Sequence, residues 1–147
     1  MSRQNDEVRK YILERVQTIA STSSFITVDN DLVSNATYSH TNSNVAVYFE
    51  GLNILVKVEG LQSQLDGILL SAHFDSVSTA PGATDDGMGV VTLISLIEYF
   101  SKHRPKRTLV FNINNGEEDY LNGAHAYVLF CFLSDNFVHS IFFTLVS

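Results

Sequence analysis

Hydrophobic positions recur along this chain at two periods. Val8, Tyr11, Ile12, Val16 and Ile19 return at helical spacing with charged residues between them. That pattern predicts an amphipathic helix that ends at the Ser21–Ser24 cluster and packs on the outer face of a domain. Residues 29–44 are rich in Asn, Ser, Thr and Asp without a period, the composition of a surface loop. The period then becomes two. Val45, Val47 and Phe49 alternate, as do Ile54, Val56 and Val58 after Gly51, which predicts two short strands able to pair as a hairpin. Residues 65–72 (LDGILLSA) and 108–113 (TLVFNI) are nearly continuous apolar runs, as expected of strands buried on both faces of a parallel sheet. Between them Val90, Val91, Leu93, Ile94, Leu96, Ile97 and Phe100 have helical spacing and stop before Arg104-Pro105. Strand, helix, strand is a crossover unit. The expected class is therefore α/β, a partial three-layer α/β/α sandwich with a mainly parallel central sheet.

A length of 147 residues suits one core. The acidic balance, 16 Asp and Glu against 9 Lys and Arg for a net charge of −7, gives no basic face for a phosphate backbone, so nucleic acid is not an expected partner. The lone Cys131 can form neither an internal disulfide nor a paired-thiolate zinc site, which leaves histidine and carboxylates as metal donors. Residues 1–10 are polar and hold no apolar segment of the kind a signal peptide or membrane anchor needs. Residues 127–147 are strongly apolar, but Asp135, Asn136 and His139 interrupt them, so no membrane span is expected. One sequon, Asn35-Ala36-Thr37, would matter only in a secretory lumen.

Three clusters carry candidate chemistry. His73 and Asp75 sit two apart at the end of a predicted strand, a spacing that suits a metal-bound imidazole steadied by a carboxylate. Asp85-Asp86 opens the following helix, where acids also serve as capping residues. Glu117-Glu118 ends the second apolar strand. Any one of them could be a solvated turn. All three, however, fall at the carboxyl ends of the predicted parallel strands or at the amino end of the helix between them, where open α/β sheets build their sites. A set of His, Asp and Glu donors without thiolates suits catalytic zinc.

Ser71-Ala72-His73-Phe74-Asp75-Ser76, then Pro81-Gly82-Ala83-Thr84-Asp85-Asp86-Gly87-Met88-Gly89, then Asn115-Gly116-Glu117-Glu118 resemble the three successive signatures of metallopeptidase family 28, the di-zinc aminopeptidase-like enzymes. The Asp-Asp-Gly-Met-Gly form is most similar to the fungal vacuolar membrane proteases of that family. The resemblance spans residues 44–127, so residues 1–126 are expected to be the N-terminal part of a peptidase domain and 127–147 a divergent tail. It implies zinc-dependent hydrolysis of a peptide substrate. His73 would bind one zinc, Glu118 the other, and Asp85 would bridge the two. Asp75 would orient His73, and Glu117 would act as general base, taking a proton from the attacking water and passing it to the leaving amine. The Asp85-Asp86 link would be a cis peptide, with Gly87 and Gly89 letting the helix start approach the metals. A vacuolar membrane or lumenal location follows from the same resemblance.

Complete family members supply a further carboxylate and a further histidine later in the chain. Asp135 and His139 are the nearby candidates, in a context that does not match. With about two protein donors per zinc, against the usual three, the chain as it stands is expected to bind zinc weakly and to hydrolyse little, and to leave a sheet edge and an apolar helix face open. A glutaminyl-cyclase-like zinc acyltransferase shares the H-x-D, A-T-D and Glu-Glu elements, but Asp86 and Gly87 argue against it. A non-catalytic binding relative would not be expected to retain His73, Asp85, Glu117 and Glu118. A calcium loop built on Asp75, Asp85 and Asp86 lacks the alternating acids such loops use.

Overall fold

The computed structural model describes residues 3–31, 35–39, 46–50, 52–133 and 141–145. Helix α1 (Arg3–Ala20) opens the chain and is followed by strands β1 (Ile26–Asn30), β2 (Asn35–Ser39), β3 (Ala46–Glu50), β4 (Ile54–Val58) and β5 (Gly67–His73). A π-type turn over Ala83–Gly87 leads into α2 (Met88–Lys102), then β6 (Leu109–Asn114), α3 (Asn122–Leu133) and β7 (Ile141–Leu145). The main sheet has the order β1-β4-β6-β5-β7, and β2 and β3 form a separate ribbon.

The sheet is mixed. β1, β4 and β6 pair antiparallel, whereas β6, β5 and β7 pair parallel, and the parallel half carries the site. Side chains alternate across it. Ile54, Val56, Val58, Leu109, Phe111 and Ile113 face α1 and α2 in the larger core, while Leu55, Leu69 and Val110 meet Tyr127 of α3 on the other face. Two helical layers therefore enclose the sheet, as the crossover pattern predicts.

α1 buries Ile12, Val16 and Ile19. Each contributes about 1.5–3 kcal/mol relative to exposure. The expected stripe is narrower than its spacing suggests, because Val8 and Tyr11 are 44% and 67% exposed. Val8 instead borders a cleft beside the site.

Two expectations are corrected. The residues expected to form a loop over 29–44 include the end of β1 and all of β2. β1 pairs with β4 alone and buries every second side chain at most, so its outward Thr27 and Asp29, with the half-buried Asn30 at its end, give an edge strand the composition of a loop. The second correction concerns the hairpin. β3 pairs with β2, and β4 lies between β1 and β6. Ile54, Leu55, Val56 and Val58 are all buried, so β4 needs a strand on each side and a layer on each face, which a two-stranded hairpin cannot supply.

The other predicted elements appear with shifted ends: β5 begins at Gly67 and reaches His73, β6 runs one residue past Ile113, and α2 is extended at both ends. The boundary expected at residue 126 falls inside α3, and β7 hydrogen-bonds to β5. The sequon falls on β2, whereas Asp135 and His139 lie outside the described residues.

Candidate active site

The site begins with register. His73 of β5 lies beside Asn114 of β6, and the Phe74 N–H donates to the Asn114 carbonyl at 3.0 Å. Parallel neighbours end on the same side of a sheet, so the segments after both strands, carrying Asp75 and Glu117-Glu118, emerge together.

His73 is the hub. The residue is 9% exposed, its Nδ1 lies 3.0 Å from the Asp75 backbone carbonyl, and its Nε2 lies 3.2 Å from Asp85 Oδ1 and 3.7 Å from Glu117 Oε2. A carbonyl can only accept, so Nδ1 carries the proton. Nε2 then faces carboxylates that are acceptors as well. Such an arrangement is favourable only with a second proton on the ring or a cation between the groups. Burial alone would push the His73 pKa down, but the hydrogen bond to the Asp75 carbonyl and the charges of Asp75, Glu117 and Asp86 outweigh it and raise the pKa. A proton and a metal ion thus compete for the same nitrogen.

The Asp85-Asp86 peptide is cis. The two acids meet opposite environments. The Asp85 side chain is 81% exposed and turned to His73 Nε2. Asp86 is buried, accepting the His73 backbone N–H at 3.2 Å through Oδ2 and the Gly89 N–H at 3.0 Å through Oδ1. The capping role open to this pair thus falls to Asp86 alone, and Asp85 is left for the site. Gly89 is required here because a Cβ would stand 2.2 Å from Asp86 Oδ1. A Cβ on Gly87 would meet the Gly82 carbonyl oxygen at 2.8 Å. Both glycines make room for the chain's own loop.

The Glu117-Glu118 turn is held from two sides. In front, Asp75 Oδ1 accepts the Glu117 N–H and Oδ2 the Glu118 N–H, each at 3.1 Å. Behind, buried Asn53 accepts the Asn115 N–H at 3.1 Å and donates to the Gly123 carbonyl at 2.9 Å, while Asn5 of α1 donates to Asn115 Oδ1 at 2.8 Å. The turn closes with the Leu121 N–H on the Glu117 carbonyl and the Asn122 N–H on the Gly116 carbonyl, both at 2.8 Å. Tyr120 and Leu121 adopt φ of 69° and 60°, a left-handed conformation that costs a side-chain-bearing residue about 1 kcal/mol or more. Strain is held where the turn feeds α3. Gly123 sits against the Asn115 carbonyl, and a Cβ there would lie 2.3 Å from that oxygen. Backbone cannot swing aside as a side chain does, so Gly123→Ala is expected to destabilise the fold by about 1–3 kcal/mol, measurable by urea unfolding.

Of the residues singled out in the sequence, His73, Asp75, Asp85 and Glu117 come together around one imidazole. Glu118 joins through its backbone, and it lines an adjoining cleft of about 1110 Å³ with Asp75, Asn5, Val8, Tyr48 and Phe74. Among the described residues no group of three or more His, Cys, Asp or Glu side chains is placed to hold a metal ion. Capping was open to the Asp85-Asp86 pair from the start, whereas the anchoring roles of Asn53 and Asn115 escaped sequence reasoning. Their one signal is polar residues in or beside apolar strands.

The protein from Laccaria bicolor called "Vacuolar membrane protease" is 60% identical over 128 residues, which are 86% of this chain and 12% of that protein. Its namesake from Schizosaccharomyces pombe is 54% identical over 127 residues, 86% of this chain and 15% of that protein. The chain thus spans about an eighth of the length of these curated relatives. Among solved structures, the LapA aminopeptidase of Legionella pneumophila superposes with a TM-score of 0.63 at 17% identity, covering 92% of this chain and 34% of that one. A glutaminyl cyclase of Macrostomum lignano superposes with a TM-score of 0.53 at 19% identity, covering 78% of this chain and 32% of that one. These two likenesses establish the α/β fold. Residues 53–140 match the model of peptidase family M28, and the chain belongs to that family.

Proposed function

We propose that His73, Asp85 and Glu118 are zinc donors, and Glu117 the general base, of a peptidase site that hydrolyses peptide bonds. The observation that carries this reading is the imidazole with its Nδ1 committed to a carbonyl and its Nε2 turned to carboxylates. The fit can be tested on distance. Two donors about 2.1 Å from a tetrahedral zinc stand about 3.4 Å apart, and His73 Nε2 and Asp85 Oδ1 are separated by 3.2 Å. An exposed Asp85 also has a free side on which to meet a second ion, as a bridging carboxylate must.

Zinc, when bound, polarises the scissile carbonyl and makes water more acidic. The chain's own part is to hold the donors and move a proton. Glu117, 3.7 Å from His73 Nε2, stands beside the donor pair and is half-buried, so its carboxylate can take a proton from the attacking water and return it to the departing amine. Asp75 and Asp86 grip backbone instead of reacting groups. The cleft next to Glu118 offers space for a peptide substrate. A location at the vacuolar membrane is proposed from the names of the relatives. No described helix is long and apolar enough to cross a membrane. The cyclase alternative shares the fold, but the relatives at 60% and 54% identity are named proteases, so peptide hydrolysis is preferred.

A chimera tests this reading: residues 53–126 of this chain replace the matching segment of the Laccaria bicolor protease. Chelator-sensitive hydrolysis of an aminoacyl anilide by the chimera is expected. A folded chimera without it, beside an active parent, would count against the proposal.

A further inference from the structure

We infer that the Asp75 carboxylate positions the Glu117-Glu118 turn, and that the imidazole of His73 is oriented by the Asp75 backbone carbonyl. An H-x-D pair at a strand end is naturally read as a carboxylate steadying a histidine, yet the distances divide the work differently. His73 Nδ1 is 3.0 Å from the carbonyl oxygen and 3.7 Å from Oδ1 of the same residue, outside hydrogen-bond range. Both carboxylate oxygens are used elsewhere. Oδ1 accepts the Glu117 N–H and Oδ2 the Glu118 N–H, each at 3.1 Å, across 42 and 43 residues of chain.

The Asp75 side chain is 11% exposed, so these charge-assisted bonds form largely out of water, where they are stronger than neutral ones. A carbonyl is supplied by any residue at position 75. Only an ionised carboxylate offers two acceptors to two successive amides. The choice of Asp at this position is therefore explained by the turn. One side chain thereby ties the end of β5, with its metal donor, to the residue that moves the proton and to the next donor. The catalytic meaning of this tie rests on the proposed zinc peptidase reading, but the tie itself does not.

Asp75→Asn leaves one acceptor and turns an amide NH₂ toward a backbone N–H, whereas it preserves the carbonyl. In the ¹⁵N-labelled chain, this variant is expected to lose at least about tenfold hydrogen-exchange protection at the Glu117 and Glu118 amides relative to residues 110–113 of β6. His73 should keep its proton on Nδ1, as read from ring ¹⁵N shifts. General destabilisation would lower β6 and the turn together, so the ratio isolates positioning. A displaced His73 proton with unchanged protection at Glu117 and Glu118 would overturn the inference. Should the variant fail to fold, the wild-type chain still decides. Scalar coupling across the hydrogen bonds, from the Asp75 carboxyl carbon to both amide nitrogens, is expected, and its absence at both would overturn the inference. Zinc titration of the same sample separates the two claims, because turn protection that depends on Asp75 in a chain indifferent to zinc would sink the metal reading and leave the positioning role standing.

Discussion

Asp85→Ala and Asp86→Ala, neighbours in sequence, are expected to fail in opposite ways. Asp85 is exposed and turned toward His73, so its loss should leave the metal-free unfolding free energy within about 0.5 kcal/mol. Zinc affinity should fall at least about 100-fold, because even outer-shell partners of a metal site are worth 10 to 100-fold. Asp86 holds two backbone N–H groups in a buried setting. Its removal leaves both donors without an acceptor, at about 1–3 kcal/mol each, and should destabilise the fold by about 2–5 kcal/mol. Thermal unfolding without metal and zinc titration of the folded fraction check both arms. Equal loss of stability in the two variants would contradict this division of roles.

Glu117→Gln carries the other large effect. In the active chimera the rate of anilide hydrolysis should fall by about 10² to 10⁴-fold while zinc content stays that of the parent. Glutamine keeps the shape of the side chain and cannot take up a proton at physiological pH. The Glu117 backbone bond to Asp75 is untouched, so the turn should remain in place. Metal analysis alongside steady-state kinetics separates the outcomes. Loss of zinc together with activity would make Glu117 a ligand, and a rate within a few-fold of the parent would remove it from proton transfer.

What the sequence discloses follows from what burial demands. Residues 67–73 and 109–114 lie between two layers, so their apolar runs are nearly unbroken and announce parallel strands. The clusters at the ends of those strands were legible for the same reason, since a parallel crossover brings them to one edge. β1 and β2 were hidden. Edge and ribbon strands need only one apolar face or none, and Asp29, Asn30 and Asn35 resemble loop residues whatever their backbone does. The hairpin expected between residues 45 and 58 failed because alternation identifies a strand without naming its partner, and β4 found two others.

The finer division within the acid pairs was also out of reach. Asp75 and Asp86 act on backbone N–H groups, and every residue type but proline supplies one, so no pattern of side chains marks the partner. Asn53 is fully buried and joins Asn115 to Gly123, a role visible only once 62 and 70 residues of intervening chain have folded. Gly89 and Gly123 could be seen as glycines, but the atoms that forbid a Cβ there belong to Asp86 and Asn115.

The most direct test of the zinc reading is calorimetric titration of zinc into the 147-residue chain, beside Asp85→Ala. Weak binding is expected, with His73 and Asp85 as the converging donors, and it should disappear in the variant. Zinc binding of the same strength in the chain and in Asp85→Ala would contradict that reading.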